Sequence, residues 1–147
     1  MDYFNYPIDS KILLRKKIRI KKELLASDSF IEKRIAVLGG STTNEIVDQL
    51  ELFLLNFGIK PTFYQSEYAQ YWQDAMFGNE ELDKFNPDIV YVHTNWRNIT
   101  EFPTTSSSKE DVDILLENTY NHFVVMWDKL SERFSCPIIQ DNFDRPA

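Results

Sequence analysis

Small polar residues follow two apolar runs of this chain, and their types and spacing suit nucleophilic chemistry. The first run ends in two glycines and continues into Ser41, and the second ends before His93-Thr94-Asn95. A serine at a strand-to-helix turn has an exposed hydroxyl, and the free N–H groups of the helix stabilise developing negative charge. The polar triplet at the neighbouring turn could face this serine. The pattern therefore predicts Ser41 as a catalytic candidate.

The first turn also supports a simpler interpretation, in which a hydroxyl residue only caps the following helix. Thr42 and Glu45 have the spacing of a capping box, in which hydroxyl and carboxylate each bind a free backbone N–H. Without an adjacent base, the hydroxyl of Ser41 is a weak nucleophile. The residues leave both interpretations open.

Other side chains near the two turns are candidates for binding a substrate. Arg97 either pairs with a carboxylate or phosphate or is solvated. His93 either serves Ser41 as a base, forms a structural hydrogen bond or binds ligand, while Tyr68 either forms a pocket wall or packs in the core. The predicted substrate-binding set is Gly40, Thr42, His93, Thr94, Arg97 and Tyr68.

Several other kinds of site do not fit the sequence. No Cys, His and Asp cluster has the spacing of metal ligands, so no metal site is predicted. After Gly39-Gly40 the Gly-Lys-Ser/Thr of a P-loop and the third glycine of a Rossmann fingerprint are both missing. A receiver-like domain requires an aspartate at the end of the third strand, where this chain has His93-Thr94-Asn95.

The elements that must position these residues alternate between helix and strand. Apolar periodicity, caps and turn residues predict helices at about 9–25, 43–57 and 109–133, with Asp9 or Ser10 capping the first helix and Gly58 ending the second. The residues of the third helix that are predicted to face inward are Val112, Leu115, Leu116, Thr119, Phe123, Trp127 and Leu130. Apolar runs predict strands at 34–38, 60–65, 89–93 and 137–140. This alternation is typical of a parallel sheet with helices on both faces. We therefore expect an α/β fold, a three-layer flavodoxin-like sandwich preceded by an N-terminal helix and truncated after its fourth strand.

The composition indicates a globular domain. The chain has 147 residues, of which 43% are hydrophobic and 14% aromatic, enough for one sizeable core. No apolar run approaches the ~20 residues of a transmembrane helix, and no signal peptide opens the chain. Its one cysteine, Cys136, is expected to pack in the core. These features favour a cytoplasmic location.

The charge is divided unevenly along the chain. Residues 11–22 hold seven basic side chains and no acid, which leaves 9 basic against 23 acidic residues elsewhere. Such an acidic body argues against nucleic acid as a partner. The basic segment is either the solvated face of a helix or a contact for an anionic membrane or acidic partner. If the segment is the solvated face of a helix, the apolar residues of that helix face inward, namely Ile12, Leu13, Ile18, Leu24 and Leu25.

The two turns resemble the first and third sequence blocks of the SGNH hydrolase fold, here Gly39-Gly40-Ser41 and His93-Thr94-Asn95-Trp96. The wider order of segments resembles the N-terminal SGNH-like domain of FkbH-like proteins, subfamily IIIC of the haloacid-dehalogenase (HAD) superfamily. The segments are 35–43, 64–71, 86–90 and 137–143. The resemblance covers most of residues 34–146 and implies a partial SGNH-like α/β domain over 34–147, with Asn95 as an oxyanion donor and second catalytic candidate beside Ser41. Residues 1–33, which precede it, are predicted to form a helical extension.

The resemblance also implies partners. Members join the SGNH-like domain to a C-terminal HAD phosphatase domain that holds magnesium, and they transfer glyceryl or acyl units onto an acyl-carrier protein in polysaccharide or polyketide-type biosynthesis. This chain lacks the Asp-x-Asp-x-Thr motif of the phosphatase. No cofactor is therefore expected in this chain, and magnesium is expected only in the phosphatase domain.

Two functions follow from these observations. Gly40 replaces the aspartate of the first block, and no Asp-x-x-His block appears in the chain. The favoured hypothesis is therefore a domain that binds a small phosphorylated substrate or a carrier protein and is not active alone. The alternative is an active transferase or esterase that uses Ser41. A bare fourth strand would also be an edge open to self-association, so a homo-oligomer is considered.

Overall fold

The structure, a computed structural model, describes residues 3–27 and 29–144. Four parallel strands form one sheet in the order β2-β1-β3-β4. The strands are β1 (Ile31–Gly39), β2 (Ile59–Gln65), β3 (Ile89–His93) and β4 (Ile138–Gln140). The helices are α1 (Ser10–Leu24), α2 (Asn44–Asn56), α3 (Tyr71–Phe77), α4 (Glu80–Phe85) and α5 (Lys109–Phe134), with a 3₁₀ turn at Trp96–Asn98.

The predicted fold class, α/β with a parallel sheet and an N-terminal helix, is confirmed. The predicted third strand agrees with β3 at both ends. β1 begins at Ile31, inside the segment 1–33 that was predicted as a helical extension. Residues 145–147, the end of the predicted second domain, lie outside the described residues. Within the described ranges, no helix is long and apolar enough to cross a membrane.

The core lies on both faces of the central strand β1. Five consecutive residues of β1, from Ile35 to Gly39, are buried, as expected for a parallel strand covered on two sides. On one face Ala36 and Leu38 pack with residues of α3 and α5, such as Met126. On the other face Ile35 and Val37 pack with Val47 of α2. Helix α1 packs on α2, so α2 lies between α1 and the sheet.

The predicted inward faces of α1 and α5 are partly wrong. Ile18 of α1 is 80% exposed and Leu25, the C-cap residue, is also exposed, while Ile20 is buried against α2. On α5, Val112 and Leu116 are exposed because only the second half of the helix reaches the core. Periodicity identified each helix correctly, but it does not tell how far along a helix its neighbour extends.

Of the two predictions for the ends of α2, the one for the N-terminus is wrong and the one for the C-terminus is confirmed. The capping box predicted for Thr42 and Glu45 is wrong, because the N-cap residue is Thr43 and its side chain makes no capping hydrogen bond. The Thr43 hydroxyl instead donates to Gln65 Oε1 at 3.2 Å. The predicted glycine stop is confirmed, since Gly58 follows the C-cap with a φ of +76° and donates to Leu55 O.

Candidate active site

The turns after β1 and β3 lie side by side at the carboxyl edge of the sheet. Gly39 and His93 are register partners on the two strands. The Gly40 N–H then donates to His93 O at 2.8 Å, which continues the pairing one residue past β1. The carboxyl edge of a parallel sheet is where open α/β folds bind ligands. Both predicted motifs, residues 39–41 and 93–95, therefore lie together at this edge of the sheet, which is called the rim.

Asn98 joins the two turns through its side chain. Its Nδ2 donates to Gly40 O at 3.2 Å, and its Oδ1 accepts from the Asn95 N–H at 2.9 Å. The Asn98 amide lies against the Gly40 Cα, where a Cβ atom would overlap it. Asn95 in turn begins the 3₁₀ turn, since its Oδ1 accepts from the Arg97 N–H at 2.9 Å. This fixes the rim without any ligand.

Sequence reasoning missed Asn98. The signal was the pair of asparagines three residues apart, which forms a reciprocal cap around the 3₁₀ turn. The contact of Asn98 with Gly40, 58 positions earlier, had no local signal.

Ser41 is half-buried and does not cap α2. Among residues 3–27 and 29–144, its hydroxyl has no hydrogen-bond partner, and no side chain caps the N-terminus of α2. Helix N-termini carry a partial positive charge and unpaired N–H groups. The Ser41 hydroxyl and the first N–H groups of α2 are therefore both available to an anion or an acyl oxygen.

His93 forms a pair with a residue that the sequence analysis did not select. Its Nδ1 lies 2.7 Å from Asp141 Oδ2, just after β4. The other carboxylate oxygen accepts from the Thr94 N–H at 2.9 Å, so Asp141 binds both residues at the end of β3. With Nδ1 held by a carboxylate, Nε2 is the ring nitrogen left to accept a proton. The 48 positions between the partners explain why no sequence pattern revealed them.

The acid also affects its neighbour Tyr91. The Tyr91 hydroxyl lies 3.3 Å from His93 Nδ1. Burial, and secondly the negative charge of Asp141, raise the pKa of the Tyr91 hydroxyl. Tyr91 thus remains a neutral hydrogen-bonding group beside the pair.

Thr94, a predicted substrate-binding residue, is buried, with 1% of its surface exposed, and its hydrogen bonds hold the end of β3 in place. Its hydroxyl accepts from Gln140 Nε2 at 3.0 Å. Gln140 Oε1 in turn accepts from the indole N–H of Trp127 at 2.7 Å. This chain of hydrogen bonds connects α5, β4 and the end of β3, and the hydroxyl of Thr94 is used within it.

The remaining candidates, Thr42, Arg97 and Tyr68, are all exposed. Thr42 is exposed between Ser41 and α2. Arg97 is exposed beside Trp96, with its guanidinium carbon 5.5 Å from the indole centre, and it forms no ion pair within the described part of the chain. Tyr68 is 74% exposed on the loop after β2. The β2 end contacts the rim through Ser66, whose hydroxyl accepts from the Gly39 N–H at 2.9 Å.

The structure therefore brings together seven of the eight predicted site residues on two adjoining turns and places Tyr68 on a third. Those on the two turns are Gly40, Ser41, Thr42, His93, Thr94, Asn95 and Arg97. In the portion of the chain that is described, no three His, Cys, Asp or Glu side chains are grouped so that they could hold a metal ion. The roles predicted for the individual residues stay predictions.

Comparison with known proteins supports the α/β fold and nothing finer. No family model matches this chain, and no curated protein does. The chain is similar in structure to the N-terminal part of the protein BF1531 from Bacteroides fragilis, which contains a phosphatase domain complexed with Mg. The TM-score is 0.66 at 16% sequence identity, over 89% of this chain and 33% of that one. This chain thus spans a third of the length of its structural neighbour, and at this identity the likeness establishes the α/β fold alone.

Proposed function

We propose that this chain is the N-terminal, SGNH-like domain of an FkbH-like protein and binds a small phosphorylated substrate or the carrier protein during glyceryl or acyl transfer. In this proposal a C-terminal HAD phosphatase domain with magnesium belongs to the same protein. The structural likeness to part of BF1531, a protein with a phosphatase domain, supports that domain combination. The resemblance of the two turn motifs supports the reaction class.

The observation that carries the binding function is the preorganised rim. Asn98 and the Gly40 N–H lock the two turns together, so the backbone of both turns is ordered before a ligand arrives. The donors on these turns are the hydroxyl of Ser41, the amide of Asn95 and the exposed guanidinium of Arg97. A set rich in donors suits a phosphate or carboxylate, which offers only acceptor oxygens.

Calorimetric titration of this chain with a phosphorylated three-carbon acid tests the binding function. Arg97→Ala should weaken binding about ten- to a hundredfold, because a hydrogen bond to a charged group contributes about 1.5–3 kcal/mol. Lys109→Ala removes an exposed cation on α5 and is the matched control. If Arg97→Ala and Lys109→Ala bind as wild type does, the rim is not the anion site.

A second function, acyl transfer by Ser41 itself, is favoured by the His93–Asp141 pair. In this reaction Ser41 Oγ bonds to the carbonyl carbon of an acyl thioester while the carbon–sulfur bond breaks. The serine proton passes to His93 Nε2 and then to the leaving thiolate. Asp141 holds the imidazole by Nδ1 and stabilises its charged form, and the Asn95 amide donates to the oxyanion.

Intact-mass spectrometry after incubation with an acyl thioester tests the second function. Wild type should gain the mass of one acyl group, Ser41→Ala should gain none, and Asp141→Asn should acylate about a hundredfold more slowly. Equal rates for wild type and Asp141→Asn would show that the pair is structural. An unmodified wild type that still binds the phosphorylated acid would leave the binding function alone standing.

A further inference from the structure

One face of α1 carries three cations and an isoleucine in a single line along the helix. Lys11, Arg15, Ile18 and Lys22 are spaced by four, three and four residues, which places them on one side of an α-helix over about 16 Å. All four are exposed, and Ile18 is 80% exposed. These four residues are called the α1 stripe.

The other cations of α1 have partners, which separates them from the stripe. Lys17 and Lys21 form ion pairs with Asp48 and Glu51 of α2. Arg19 pairs with Glu23 one turn along the same helix. Lys16 lies over the ring of Tyr3 at 5.6 Å.

By contrast, the three cations of the stripe make no ion pair with any residue in 3–27 or 29–144. The seven basic residues that the sequence concentrates in this segment therefore divide by role. Two fasten α1 to α2, two have partners near the helix, and three face outward together.

The opposite side of α1 holds the helix in place. Leu13 and Ile20 are each 1% exposed and pack with Leu52 of α2. The stripe is consequently presented by a docked helix, with its direction fixed by the core. Ile18 adds an exposed apolar side chain between the unpaired cations. Covering it would stabilise a complex by about 25 cal/mol per Å² of apolar area buried.

We propose that the α1 stripe is a docking surface for an acidic helix of a protein partner. Carboxylates one and three turns apart on such a helix match the cations, and an apolar side chain between them covers Ile18. The interaction requires only surface that α1 leaves free. If the proposed function is correct, this partner is the acidic carrier protein. The identification of the partner therefore rests on the proposed function.

Other occupants fit the surface less well. A single phosphate is far smaller than a line of cations about 16 Å long. A membrane-surface helix needs a broad apolar face, and the apolar face of α1 is already taken by α2. A second copy could offer its acidic α5, which packs on the other side of the sheet from α1 and α2. That contact would be head-to-tail, so it would build a ring or an open filament and not a two-fold dimer.

Fluorescence anisotropy with a labelled holo-acyl-carrier protein tests the proposal on this chain. The variant Lys11→Glu/Arg15→Glu/Lys22→Glu should bind about ten- to a hundredfold more weakly than wild type, and added salt should reduce the difference. Ile18→Ser should weaken binding about threefold to tenfold at every salt concentration. The matched control reverses three exposed lysines elsewhere, Lys84, Lys109 and Lys129, and should bind within about twofold of wild type.

The same variants separate the outcomes. Circular dichroism and urea unfolding establish that each variant is folded. Equal binding by wild type and the stripe variant would overturn the docking surface and leave the proposed function standing. No binding of the carrier protein by wild type would overturn both the carrier part of the proposed function and this assignment. Stripe-dependent binding to vesicles of anionic lipid, or stripe-dependent self-association in sedimentation, without carrier binding would overturn it in favour of a membrane or a second copy.

Discussion

The contact between Gly40 and Asn98 gives the sharpest test of how the rim is built. The substitution Gly40→Ala adds one methyl group at a position where the new Cβ would overlap the Asn98 side chain. Asn98 cannot move aside freely, because its amide donates to Gly40 O and accepts from the Asn95 N–H. The methyl group therefore displaces both hydrogen bonds.

The size of the effect follows from those two bonds. A typical hydrogen bond contributes about 0.5–1.5 kcal/mol net, so their loss should lower the free energy of unfolding by about 1–3 kcal/mol. Gly40 does not have a positive φ, so the backbone itself tolerates alanine. With the clash removed, alanine should stabilise by about 0.4–1 kcal/mol through the lower entropy of the unfolded chain. In an Asn98→Ala background, Gly40→Ala should thus change sign and become neutral or stabilising.

Urea unfolding of the four proteins in this cycle measures the coupling directly. We expect each single variant to be destabilised and the double variant to be no less stable than Asn98→Ala. Additive destabilisation, with the double variant the least stable, would show that Gly40 is constrained by its backbone and not by Asn98. That result would refute the description of Asn98 as the residue that locks the two turns.

Three other residues give independent predictions. The His122 ring stacks on Trp72 with 3.6 Å between ring centres, and burial lowers the pKa of His122; its NMR titration should have a midpoint below 6.5. Stability should fall as the pH drops through this range, because the unfolded chain takes up the proton first. Asn79→Ala should cost about 2–4 kcal/mol in urea unfolding, since it removes a donor to the buried carboxylate of Asp74 and the cap of α4. Ser108→Ala should lower the free energy of unfolding by about 1 kcal/mol through loss of the N-cap of α5, with urea unfolding as the measurement.

Much of the fold could be predicted because its signals are local. An apolar run indicated β3, and Asp9 and Gly58 indicated the ends of helices through caps that involve only nearby residues. Where a boundary depended on a distant partner, prediction failed. β1 extends back to Ile31 because it pairs with Ile59 of β2, and the polar residues at its start gave no strand signal.

The residues of the candidate site also divide into those with a local sequence signal and those that depend on a distant partner. Strand-to-helix turns are visible in sequence, so Ser41, His93 and Asn95 could be selected as candidates, and the parallel sheet brings their turns together. Asp141 and Gln140 were missed as site residues because they act through side chains that reach β3 from β4. Such contacts depend on the order of strands in the sheet, which alternation of helices and strands does not determine.

The position of β4 decides what the rim can do. β3 pairs with β1 on one side and β4 on the other, so His93 lies between the turn that carries Ser41 and the strand that leads to Asp141. The Trp127–Gln140–Thr94 chain fixes β4 against α5, which places Asp141 before any ligand binds. In a rim that only binds anions, Asp141 would hold the end of β3 through the Thr94 N–H, although its charge opposes the ligand. In acyl transfer the same carboxylate also stabilises the protonated imidazole of His93. The response of the rim to Asp141→Asn therefore distinguishes the two proposed functions.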